Sequence, residues 1–327
     1  MEQAYETNSI SGRIVYIDMA KGFGMVLVVI GHCINGYTFP ATWIGSFHMP
    51  LFFILSGICF KDEKYPTFLP FLEKRIKTLF LPCIYFSVLL TAFSMFLFDN
   101  YDIKELCHGL PGALWFVLVL FFCELIYYFI NRISDKFLKC VVLFSFLFIG
   151  IMLDRWHVAL PYSICTIFAA VFFYGLGHNL KSFTDSLITG KILSHSMLII
   201  CGVILLLLPG IVVIFTGESI GMSNNIFPYP ALLYCLLAVM GTYGTIIVST
   251  FNYFQKLKKM ILFIGNNTLT ILSVHMFYIS LSSLYIHPII HYNHLLYKIV
   301  EQVVLWIAIV LTCSLVNKKA RWIIGKS

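Results

Sequence analysis

A small set of side chains in this sequence has the chemistry of proton transfer and anion binding. His32 and His48 are imidazoles, whose ordinary pKa near neutrality suits a general base. Lys21, Lys74, Arg75 and Lys77 are cations able to hold phosphate oxygens by charge-assisted hydrogen bonds. Glu124 is a carboxylate that can orient a histidine or an acceptor hydroxyl. Together these types suit one reaction. An imidazole takes the proton of a hydroxyl as that oxygen attacks a thioester, while the cluster at 74–77 holds the phosphates of a nucleotide-bearing donor.

Spacing ties some of them together. In RIVYIDMAKGFGMVLVVIGH, residues 13–32, Lys21 and His32 are eleven residues apart. On a helix that leaves a remainder of only about 20°, so both project from one face, about 16 Å apart along the axis. A connection containing Gly36 and Pro40 leads to His48 in SFHMPLFFILSG, residues 46–57, with Pro50 suited to the first turn of a helix. Both histidines then approach the same end from adjacent helices. Plainer roles compete: Lys21 can pair with Asp18 one turn away, His48 can cap a helix end, and 74–77 can be charges lying against anionic lipid. Ser56 and Gly57 suit close helix packing, and His275 suits a packing histidine bonded across helices.

The elements that must carry these residues are membrane helices. The chain has 327 residues, 60% hydrophobic and 11% charged, with a mean hydropathy of +0.90, far from the quarter charged of soluble domains. A soluble domain is excluded. Apolar runs predict about ten spans, near 14–36, 44–60, 77–98, 113–130, 137–153, 160–178, 194–216, 227–250, 261–286 and 296–316. The expected fold is an all-α, polytopic membrane helix bundle, 1–327 forming a single domain. Lys and Arg fall on alternate connections: Arg13, the 61–77 cluster, Arg132 to Lys139, Lys181, Lys191, Lys256 to Lys259 and Lys318 to Lys326 share one side. Only Lys104, Arg155 and Lys298 occupy the other. By the positive-inside rule, both termini are cytoplasmic. The net charge of +7 is thus a matter of topology, and no nucleic acid is expected. The polar, acid-bearing N-terminus does not read as a cleaved signal peptide. Ten scattered cysteines, Cys107 among them, form no C-x-x-C, so no metal is expected. His108 and His291 read as loop or span-end residues.

These stretches resemble the acyltransferase 3 family of bacterial membrane O-acyltransferases. Lys21-GFGMVLVVIG-His32 is similar to its basic residue, ten residues, histidine pattern. SFHMPLFFILSG resembles its second helix, especially in the fucose 4-O-acetyltransferase-like branch, and FLEKRIKTLFLP its third, with Arg75 at the family arginine. GALWFVLVLFFCEL and NNTLTILSVHMF resemble later signatures. The resemblance implies a multi-pass protein of the bacterial cytoplasmic membrane that takes acetyl-CoA from the cytoplasm. It implies transfer to a hydroxyl of a glycan or lipid-linked sugar, a catalytic His32, and donor binding by Lys21 and Arg75. The rival expectation from the residues is a transporter or flippase of polysaccharide or polar solute, which also carries intramembrane charges and Gly/Pro-broken helices such as Pro209–Gly210.

Overall fold

The structure is a computed structural model that describes residues 15–34, 38–61, 63–97, 109–190, 192–251, 253–290 and 293–325. Arg13 and the N-terminal stretch before it, Gly36, Lys104, Cys107, His108, Lys191, His291 and Lys326 lie outside the described residues.

Among the described residues the chain is helical, with no strand. The helices are α1 (Val15–Cys33), α2 (Phe39–Gly45), α3 (His48–Ile58), α4 (Phe68–Arg75), α5 (Leu81–Leu97), α6 (Leu114–Ile130), α7 (Lys136–Arg155), α8 (Thr166–Asn179), α9 (Lys181–Ile188), α10 (His195–Thr216), α11 (Ala231–Val248), α12 (Gln255–Asn266), α13 (Thr268–Tyr285), α14 (His287–Ile290) and α15 (His294–Lys319). Nine described segments are long and apolar enough to cross a bilayer. The 17-residue α6 is a tenth apolar helix, about 25 Å long. This is an all-α polytopic membrane bundle.

Two expected spans have internal structure that the apolar runs hide. The third begins at Phe68, earlier than expected, and passes from α4 to α5 through a π-helical turn, Ile76–Phe80. The ninth is broken. α12 ends at Asn266, Asn267 leaves helical geometry at φ −116°, and α13 restarts at Thr268. α12 is amphipathic: it buries Ile261 and Ile264 and carries Lys256, Lys258 and Lys259 on its other side.

Glycine contacts draw together the helices that frame the interior. Gly57 of α3 lies against the Tyr174 carbonyl of α8, and Gly177 of α8 against the Ile54 carbonyl of α3. A methyl group at either would strike backbone, so the expected close packing at Gly57 is found. Gly22 and Gly265 do the same for α1 and α12, against the carbonyls of Ile261 and Asp18. Trp43 Nε1 donates to the Leu206 carbonyl at 3.0 Å, tying α2 to α10.

Candidate functional site

At the lysine-rich end of the bundle lies a cavity of about 570 Å³. α1 contributes Asp18, Lys21 and Met25; α3 contributes Phe52 and Ser56; the following loop adds Cys59 and Lys61. α4 supplies Lys74 and Arg75, α6 supplies Phe116, Leu120 and Glu124, and the start of α13 supplies Thr268, Leu269, Thr270 and Leu272. Four cations face two carboxylates, a balance that favours an anionic guest.

Glu124 is the buried charge of this cavity, and half-buried Arg75 lies against it. Arg75 Nε lies 2.5 Å from Glu124 Oε2, with the side chains 22% and 7% exposed. Neither atom makes an aligned hydrogen bond, so the contact is ionic rather than directional. The guanidinium also lies over the Phe71 ring, 4.9 Å from its centroid. Arg75 is the last residue before the π turn, and such turns are frequent at functional sites. Glu124 was expected to orient a histidine or hydroxyl; its carboxylate meets Arg75.

Lys21 is half-buried, its Nζ 3.8 Å from Cys59 Sγ. Among the described residues no ion pair joins it to Asp18. Lys74 lines the cavity. Lys77 does not: it pairs with Glu73 on an exposed face, one helical turn away. Lys61, which the sequence reading placed only among topology charges, joins the lining.

The histidines gather at the opposite end of the Lys21–His32 stripe. The His32 ring centroid lies 6.5 Å from that of His48, edge-on, and 5.3 Å from that of His275. His48 Nδ1 is 3.0 Å from the Ile44 carbonyl, and His275 Nδ1 is 3.0 Å from the carbonyls of both Ile271 and Leu272. A carbonyl can only accept, so each Nδ1 carries the proton, and in the neutral ring Nε2 holds the free electron pair. His275 is fully buried and its Nε2 has no partner among the described residues. His48 is half-buried, and His32 is exposed. Among the described residues these rings do not converge as metal ligands.

Cavity and histidines are separate. The lining ends at Met25, Phe52, Phe116 and Leu272 and does not reach His32. Met25 precedes His32 by seven residues, about 10 Å of helix, and Leu272 precedes His275 by three, about 5 Å. The rings of Phe52 and Phe116 lie 6.0 Å apart within this apolar belt.

His275 is the residue that sequence reasoning assigned to packing and that the fold brings to His32. Its local signals were an imidazole inside an apolar span, where an ionisable group merits a functional reading, and its place in the stretch NNTLTILSVHMF. A profile described as an acyltransferase domain, Acyl_transf_3, matches residues 14–316. Searches of curated proteins and of solved structures found no match.

Proposed function

The chain belongs to the acyltransferase 3 family, and from that premise we propose that it carries an acetyl group from acetyl-CoA to a hydroxyl of a surface polysaccharide or lipid-linked sugar. The reading includes the fucose 4-O-acetyltransferase-like branch and a place in the bacterial cytoplasmic membrane. The charge asymmetry of the connections supports a cytoplasmic position for the lysine-rich end, where acyl-CoA is made available. Donor phosphates meet Lys74, Arg75 and Lys21, with Glu124 holding Arg75 in place. The acyl arm extends past Met25, Phe52, Phe116 and Leu272, an apolar belt in which the unbranched Met25 is the most adaptable member.

Beyond the belt, His32 takes the proton of the acceptor hydroxyl as its oxygen attacks the thioester carbonyl. The new C–O bond forms, the C–S bond breaks, and the departing thiolate receives the proton back from the imidazolium. His48 and His275, neutral and anchored through Nδ1, offer electron pairs that steady the charged His32 or the incoming hydroxyl. The observation that carries this reading is an exposed histidine sharing its packing with two committed ones, at the far end of the helix that also lines a cationic cavity.

Mass spectrometry of surface glycans tests it. Cells making the wild-type chain carry O-acetylated glycan, and cells making His32→Ala at equal membrane levels do not. Full acetylation by the variant would remove His32 from the chemistry. Glycan acetylation unchanged when the protein is absent would remove the acceptor class.

A further inference from the structure

We propose that the start of α13 is a phosphate-binding subsite inside the cavity, formed by the first-turn N–H groups at Thr268, Leu269 and Thr270 together with the Thr270 hydroxyl. The proposal rests on the donor reading above and says where one of the donor's phosphates is held. The break between α12 and α13 makes an 18-residue helix begin against the cavity. The first N–H groups of a helix have no intrahelical partner, and their dipoles favour an anion there. The turn-to-turn ladder of α13 starts with Ile271 N–H donating to the Asn267 carbonyl at 3.0 Å. An N-cap side chain would ordinarily satisfy the earlier donors. Asn267 does not, because its Nδ2 donates to the Phe263 carbonyl at 2.7 Å and its Oδ1 accepts from Asn317 Nδ2 at 2.7 Å.

Thr270 supplies the second, independent observation. Thr270 is 1% exposed, its Oγ1 has no hydrogen-bond partner among the described residues, and the residue is one of those lining the cavity. Helical hydroxyls commonly donate to the carbonyl four residues back, as Ser273 does to Leu269 at 2.8 Å. For Thr270 that carbonyl belongs to Asn266, on the far side of the break, so its hydroxyl is left for a guest. Lys21, Lys74 and Arg75 line the same space and supply charge. A broken helix whose N-terminus faces an anionic group is a recurring way to hold charge inside a membrane protein. The chemistry recognised is a phosphoryl anion, from the donor or from a lipid headgroup.

The test uses the full chain in nanodiscs of zwitterionic lipid, with CoA binding measured by competition against radiolabelled acetyl-CoA. Thr268→Asp places a carboxylate where the helix dipole tolerates it, so thermal stability holds, but it repels a phosphate. CoA binding is expected to weaken about tenfold in Thr268→Asp and about fivefold in Thr270→Val. In parallel, anionic phospholipid retained through purification is quantified for each chain. Weakened CoA binding assigns the subsite to the donor. Unchanged CoA binding with less retained anionic lipid assigns it to a headgroup. No change in either overturns the subsite. Wild type that binds no CoA strikes the donor reading itself, and the lipid measurement then decides the subsite alone.

Discussion

The two ends of the α1 stripe are built on opposite plans. The Lys21 end is a roomy cavity with spare cations and one ion pair, Arg75–Glu124. The His32 end is a close packing of three imidazoles, two of which donate a hydrogen bond from Nδ1–H to backbone carbonyls. Space and charge suit holding a large anion; fixed tautomers suit moving a proton. The apolar belt of Met25, Phe52, Phe116 and Leu272 lies between the two ends. What the contrast teaches is that binding and chemistry here should respond to different substitutions.

The largest effect is expected from His32→Ala, which should cut acetyl transfer by roughly 10²–10⁴-fold while leaving CoA binding intact. Loss of CoA binding in that variant would mean that the two ends are not separable. Next comes Arg75→Ala, expected to raise the donor KM about ten- to a hundredfold. Because it strands a buried carboxylate, it should also lower stability by about 3–5 kcal/mol. The double variant Arg75→Ala with Glu124→Gln should recover thermal stability but not KM, and recovery of both would make the pair purely structural. A smaller effect is expected at the belt. Leu272→Phe adds bulk at the belt and should slow turnover by about tenfold with unaltered CoA binding. Equal turnover would place the acyl route elsewhere. Lys77→Ala, which touches only an exposed i,i+4 pair with Glu73, should leave KM unchanged, unlike Lys74→Ala.

Much of this molecule is legible from residue order, for reasons of length and solvent. A bilayer demands long apolar helices, so the ten expected spans all correspond to described helices. Interruptions within spans are less visible. The π turn after Arg75 has no composition signal, since IKTLF is unremarkable for an α-helix. The break at Asn267 had one: consecutive asparagines followed by threonine, inside an apolar run, favour a turn or a cap. For the site, the eleven-residue spacing of Lys21 and His32 is local and readable, whereas the meeting of His32 with His275 depends on two helices separated by most of the chain. Glu124 illustrates the same limit. A carboxylate in mid-span needs a partner, but helix periodicity cannot say whether it is a histidine or the arginine at the start of another span.

The most direct measurement uses sealed vesicles in which the lysine-rich face is outward and acceptor glycan is enclosed. Radiolabelled acetyl-CoA, which does not cross the bilayer, is added outside. Donor entry through the cationic cavity and transfer at His32 require label to accumulate on the enclosed glycan with the wild-type chain and not with His32→Ala. Label that appears only when donor and acceptor share one side of the membrane would contradict a route that joins the two ends of α1.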